Sequence, residues 1–197
     1  MTPQAESVLD LFRSTGAYLQ GHFRLTSGLH SGQYMQCALV LRHPEAAESL
    51  GRLLAEELRR ITGEKIGLVV SPALGGLIIG HEVARALRVP FIFTERDPET
   101  RKMSLRRGFT IEPGEVAVVV EDVITTGGST QDVIELLRAS GARVPAAGSI
   151  VDRSGGKADA GAPRVALATL QVEAFPPEEC PYCRQGTPVV KPGSRPA

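Results

Sequence analysis

The chain has 197 residues, 42% of them apolar and 22% charged, which is enough for one domain with a full core. Lysine plus arginine equal aspartate plus glutamate at 22 each, so the formal net charge is zero, which argues against a nucleic-acid surface or a polybasic membrane patch. No apolar run approaches the roughly 18 residues of a membrane span, the opening run MTPQAESVLDLF lacks a signal-peptide pattern, and a soluble, cytoplasmic protein is expected.

Taken in chain order, Gln4 to Ser14 predicts a short amphipathic helix with Val8, Leu11 and Phe12 on one face. Phe23 to Ala38 is irregular and β-prone. Pro44 opens a helix at the favoured first-turn position; its stripe is Ala47, Leu50, Leu54, Leu58 and Ile61, and Gly63 ends it. Ile66 to Ser71 predicts a buried strand, Gly75 to Leu87 a helix, and Pro90 to Glu95 the next strand. Asp97 to Arg107 is charged and poor in apolar residues, and reads as a mobile loop. Val116 to Glu121 predicts a central strand and Ser129 to Ser140 a helix closed by Gly141. Arg143 to Val151 and Val165 to Val172 are further strands, and the Pro-rich tail from Pro176 is expected to be extended.

Strands alternating with helices predict a parallel sheet with right-handed crossovers. In such sheets ligands gather beyond the carboxyl ends of the strands, near the switch in strand order. Ser71–Gly76, Glu95–Arg96, Glu121–Ser129 and Asp152–Arg153 all follow predicted strands, so one shared cleft is expected.

The most informative run is Val118 to Thr130, VVVEDVITTGGST. A buried strand ends in adjacent carboxylates, Glu121 and Asp122, and a glycine- and hydroxyl-rich loop then opens a helix. Helix N-termini present unpaired amides and favour negative charge. Glycines let the backbone approach a ligand without a Cβ in the way, and the hydroxyls of Thr125, Thr126, Ser129 and Thr130 add donors. The loop suits a phosphate, and the carboxylates suit sugar hydroxyls or a metal reached through water. Together they predict a ribose phosphate. The run is neither a Walker loop nor GxGxxG; the plainer reading is a capped strand-to-helix turn.

This run resembles the 5-phosphoribosyl 1-diphosphate (PRPP) signature of type I phosphoribosyltransferases. Phe23 to Tyr34, FRLTSGLHSGQY, resembles the hood segment of orotate phosphoribosyltransferases, and Ser71 to Leu87, SPALGGLIIGHEVARAL, their pyrophosphate-loop strand and helix. Asp152-Arg153, after Gly148-Ser149-Ile150-Val151, is similar to their orotate-side element. The matches span about Phe23 to Arg153 in the family's order.

The resemblance implies an α/β type I phosphoribosyltransferase fold. Its central, mostly parallel sheet is flanked by helices, with an N-terminal hood and a mobile active-site loop. A single domain over 1–197 would divide into a hood, largely 1–43 with parts of the C-terminal region, a core of about 44–172 and a tail at 176–197. The implied reaction joins orotate N1 to ribose C1 of PRPP and expels pyrophosphate, giving orotidine 5′-monophosphate in pyrimidine (UMP) biosynthesis.

Roles follow by the same resemblance. PRPP would be held by Glu121, Asp122, Val123, Ile124, Thr125, Thr126, Gly127, Gly128 and Ser129, the acids taking the ribose 2′- and 3′-hydroxyls. Thr125 and Arg153 would meet orotate, and Ala73, Leu74, Gly75 and Gly76 the pyrophosphate. Mg²⁺ would arrive with PRPP and water, with no direct protein ligand. The loop cations Arg96, Lys102 and Arg106, with Arg101 and Arg107 beside them, would close over the site of a neighbouring subunit, so a homodimer is implied. The sequence departs from the family pattern in three places: the loop has no His and its lysine is displaced, Thr26 stands where many members have Lys, and Leu74 and the glycines stand where many have another. A purine or other base specificity, or a non-catalytic PRPP-binding regulator, therefore stays open.

Cys37, Cys180 and Cys183 make no disulfide framework. Cys180-Pro-Tyr-Cys183 is a lone CxxC in the tail; a zinc site needs two more ligands, and no second CxxC or HxxxH exists. The pair reads as structural or incidental, with a tail disulfide or an intersubunit metal site as alternatives. His22, His30, His43 and His81 are scattered, and none is assigned a catalytic role. Tyr34 reads equally as a platform for a planar base or as core.

Overall fold

The structure is a computed structural model that describes residues 2–25 and 27–192. Thr26, one of the departures from the family pattern, and the tail beyond 192 lie outside the described residues.

Helix α1 (Pro3–Ser14) starts at Thr2, whose hydroxyl accepts from the Ala5 amide. The β-prone segment forms an antiparallel hairpin, β1 (Tyr18–Arg24) and β2 (His30–Met35), with a bulge in β1 between Gln20 and Phe23. Short α2 (Cys37–Leu41) leads into α3 (Pro44–Thr62), which has Pro44 in its first turn and ends at Gly63 in the left-handed conformation. Then follow β3 (Leu68–Pro72), α4 (Gly76–Leu87), β4 (Phe91–Arg96), β5 (Met103–Leu105), β6 (Val116–Ile124), α5 (Gly128–Ala139), β7 (Arg143–Asp152), β8 (Arg164–Thr169) and α6 (Pro181–Arg184).

The main sheet has six strands in the order β5-β4-β3-β6-β7-β8, all parallel except β5. Side chains alternate across it with period two. Val118 and Val120 of β6 join α1, α3 and α4 in one core, whereas Ala117 and Val119 join α5 in a second. A strand buried on both faces is why this segment reads as a continuous apolar run. The chain passes from β3 to β4 on one side and later to β6 on the other, so the switch point lies between β3 and β6.

Three segments differ from the sequence expectation. The charged stretch expected as a mobile loop turns back as a hairpin: Thr94, Glu95 and Arg96 pair with Leu105, Ser104 and Met103. Met103 and Leu105 pack against the second core, and the Asp97 carboxylate accepts from the Glu99 and Thr100 amides in the turn. Local apolar content understated this segment because few side chains suffice to anchor a three-residue edge strand. Strand β6 runs on to Ile124, since Glu121, Val123 and Ile124 still pair with β7. The tail is not simply extended. It carries α6 and returns to the hairpin, where Phe175 bridges His30 and Val190 bridges Phe23.

Candidate active site

The carboxyl ends of β3 and β6 put the pyrophosphate-loop candidates beside the acidic pair. Glu121 and Asp122 sit in the last turn of pleat of β6, where neighbours point to opposite faces. Thr130 of α5 donates its hydroxyl to Glu121. Thr130 is buried, so this hydroxyl positions an acid and is not one of the loop's phosphate donors, contrary to the sequence reading. On the other side Asp122 lies against Gly75, with Oδ1 accepting from the Val123 amide at 2.9 Å. Burial pushes the Asp122 carboxyl above its ordinary range, and the amides of Val123 and Asp122 only partly oppose this.

Beyond β6 the loop is open. Thr125, Thr126 and Gly128 are exposed and Ser129 is half-buried. Helix α5 begins without a side-chain cap, at Gly127 with φ +90°. The plain capping reading thus has no support in the geometry, and the first-turn amides keep no partner inside the helix. Gly127 serves packing as well, because a Cβ there would collide with the Asp159 carbonyl. Ile124 is 1% exposed, so its side chain belongs to the core and its carbonyl accepts from the Arg153 amide at 2.9 Å.

In the segment after β3, Ala73 is half-buried, Leu74 and Gly75 are exposed, and the Ala73–Leu74 peptide is cis. Gly76 is buried: a Cβ would stand 2.9 Å from Ser71 Cβ and 3.0 Å from the Val120 carbonyl. Its close approach is to the sheet, whereas the Gly75 position faces the Asp122 carboxylate.

Arg153 follows β7 at the same edge. Its guanidinium lies 5.6 Å from the centre of the Tyr34 ring, and its Nε is buried without a hydrogen-bond partner among the described residues. Desolvation lowers its pKa, opposed by nearby Tyr34 and Cys37. Tyr34 thus stands beside Arg153, and the Phe23 ring lies 5.9 Å from it, tilted by 50°. Buried Cys37, whose thiol is raised well above its ordinary range by burial first and Asp122 second, faces the Asp122 carbonyl at 3.9 Å. Sequence reasoning missed Cys37, since a cysteine opening a five-residue helix carries no motif. Asp152 does not share the cleft with Arg153. It is fully buried, accepting from Ser154 and pairing with Arg164; burial alone would raise its pKa, but these partners hold it below the usual value.

The cations of the β4–β5 hairpin and of the residues just after β5 divide. Arg96 pairs with Asp132 of α5 at 2.9 Å and donates to the Arg101 carbonyl, while Arg107 holds Glu95. Lys102 and Arg106 are exposed, and among the described residues neither makes an ion pair. Of the loop cations named from the sequence, Arg96 is occupied within its own chain in this conformation.

Comparison with known proteins agrees with this arrangement. The family model for the phosphoribosyl transferase domain matches residues 38–177. The orotate phosphoribosyltransferase of Pelotomaculum thermopropionicum is 55% identical over 190 residues, covering 96% of this chain and 97% of that protein. That of Thermotoga petrophila is 50% identical over 188 residues, covering 95% and 98%. The crystal structure of orotate phosphoribosyltransferase from Aeropyrum pernix superposes with a TM-score of 0.69 at 28% identity, covering 83% of this chain and 94% of that one. A sheet with its switch point between β3 and β6, an acidic strand end running into a glycine-rich helix start, and near-full-length identity to such relatives lead to one assignment: the chain belongs to the phosphoribosyl transferase family, among the orotate phosphoribosyltransferases.

Proposed function

We propose that the protein transfers the 5-phosphoribosyl group from PRPP to N1 of orotate, releasing pyrophosphate and forming orotidine 5′-monophosphate. The observation that carries this reading is Arg153: a buried guanidinium nitrogen with no hydrogen-bond partner among the described residues, beside an aromatic ring, at the switch-point cleft of a chain 55% identical to an orotate phosphoribosyltransferase. A planar, anionic pyrimidine supplies both the acceptor for Nε and the face for Tyr34.

Roles are assigned by position. The open amides and hydroxyls of Thr125 to Ser129 cradle the 5′-phosphate. Glu121, held by Thr130, and Asp122, held by the Val123 amide, take ribose hydroxyls and face the positive charge that grows on the sugar ring as pyrophosphate leaves. Ala73, Leu74 and Gly75 offer backbone to the pyrophosphate, while Gly76 sets the distance between α4 and the sheet. Thr125 and Arg153 meet orotate. The all-oxygen character of the acidic pair fits Mg²⁺, which would be held mainly by PRPP and water and would neutralise the leaving pyrophosphate. Positioning and charge stabilisation carry such a reaction, and no covalent nucleophile is needed.

Lys102 and Arg106, exposed on the edge hairpin, serve the site of a second subunit in a homodimer. Mixing inactive Asp122→Asn and Lys102→Ala chains tests this, since shared sites restore activity in the hybrid. The base assignment is tested by offering orotate, uracil, adenine, guanine and xanthine with PRPP and Mg²⁺: only orotate should yield a nucleotide.

A further inference from the structure

The tail CxxC, which sequence reading left without partners, meets two histidines on the hairpin. Cys180 Sγ lies 3.5 Å and Cys183 Sγ 3.7 Å from His22 Nε2, Cys183 Sγ is 3.3 Å from His30 Nδ1, and the two ring nitrogens are 2.8 Å apart. All four ligand atoms fall within 4.8 Å of one another. His22, His30 and Cys180 are buried, whereas Cys183 is exposed and leaves a way in.

We propose that His22, His30, Cys180 and Cys183 bind one structural Zn²⁺ that clasps the tail onto the β1–β2 hairpin. With Zn–N near 2.0 Å and Zn–S near 2.3 Å, a tetrahedral site has N–S edges of about 3.5 Å and an N–N edge of about 3.3 Å. The three N–S separations to His22 and from Cys183 to His30 bracket that value; coordination needs the histidine pair to part by about half an ångström, and the His30–Cys180 and Cys180–Cys183 separations, both within 4.8 Å, to settle at about 3.5 and about 3.8 Å.

The surroundings are built for ligation. The His22 Nδ1–H donates to the Thr187 carbonyl at 2.7 Å, which fixes the tautomer and aims the Nε2 lone pair into the cluster. His22 lies in the β1 bulge, and bulges re-aim side chains. Backbone bonds clamp the cluster from both sides: Phe175 exchanges two with His30, and the Val190 amide donates to the His22 carbonyl at 2.8 Å. Tyr182, between the cysteines, stacks on His22, and a Cβ on Gly32 would collide with its hydroxyl.

The chemistry closes. Zn²⁺ displaces the two thiol protons, and two thiolates with two neutral imidazoles leave a site of zero net charge, suited to burial. Four protein ligands fill the tetrahedron, so the site is structural rather than catalytic. The sequence concealed the site because its halves stand some 150 residues apart and on different elements, at 22 and 30 and at 180 and 183.

The test is metal content of the full chain purified without chelators, by inductively coupled plasma mass spectrometry beside native mass spectrometry. One zinc per chain is expected, lost in Cys180→Ser/Cys183→Ser and kept in Cys37→Ser. Zinc-stripped wild type loaded with Co²⁺ should give the strong visible bands of a tetrahedral site and a thiolate charge-transfer band. This reading does not depend on any variant folding. Zinc removal should lower the melting temperature by several degrees. Wild type without zinc, iron in its place, a Cys180–Cys183 disulfide by mass, or zinc retained in the double variant would each overturn the proposal.

Discussion

The Asp122 carboxylate packs against the backbone of Gly75: a Cβ there would lie 2.6 Å from Oδ1 and 2.8 Å from Cγ. This contact joins the ends of β3 and β6 across the switch point. Gly75 has φ −55° and ψ −41°, a conformation alanine adopts freely. The backbone accepts Gly75→Ala, but the added Cβ pushes the carboxylate off the Val123 amide, so stability should fall by no more than about 1 kcal/mol, while the displaced carboxylate lowers kcat/KM for PRPP by about 10²-fold. Calorimetry and initial rates on one preparation check both halves; a loss of folding to match the loss of rate would remove the positional argument.

Asp122 carries a pH signature. Burial raises its native pKa, so the folded state keeps the proton to higher pH than the unfolded chain does. Its ionisation costs stability, and that cost is absent below the ordinary carboxylate pKa and complete above the raised one. Asp122→Asn should thus melt at higher temperature than wild type at neutral pH, with the gap closing on acidification through that window. A gap that widens at low pH would contradict this.

Arg153→Ala should raise the orotate KM by at least about tenfold, the weight of a charge-assisted hydrogen bond, and leave the PRPP KM within about twofold. Arg153→Lys should recover little, because a point ammonium does not replace a planar fork against Tyr34. Initial rates with each substrate varied at saturation of the other separate the effects; equal rises would place Arg153 outside the base site.

Asp152 and Arg164 form a structural pair behind the cleft. Arg164→Ala strands a fully buried carboxylate and should cost about 3 kcal/mol in urea unfolding. Here the sign opposes that of Asp122. A depressed pKa means stability present above the ordinary carboxylate value and lost as pH falls through the native one. The penalty of Arg164→Ala should therefore shrink in acid, and a pH-independent penalty would argue against the ion pair.

Much of this was legible in the sequence because its signals are local. The apolar run at Val116–Val120 marked the central strand, Pro44 and Gly63 bounded α3, and the acids before TTGGST marked the cleft. What stayed hidden depends on contacts between distant segments. Nothing near Thr130 says that its hydroxyl faces Glu121, nor near Asp152 that Arg164 lies beneath it. Nothing near Arg96 says that Asp132, 36 residues on, pairs with it. The lone CxxC was judged by its neighbours in sequence, whereas His22 and His30 approach it only because the tail folds back to the hairpin.

The central claim is that the cleft between β3 and β6 performs orotate phosphoribosyl transfer. The most direct test is the loss of orotate absorbance on mixing protein, PRPP and Mg²⁺, run beside Asp122→Asn and an EDTA control. The account predicts rapid loss with wild type, none with EDTA, and a rate lower by about 10²–10³-fold in the variant, the size of removing one preorganised electrostatic partner. Undiminished turnover in Asp122→Asn, or no orotate loss while another base is consumed, would contradict it.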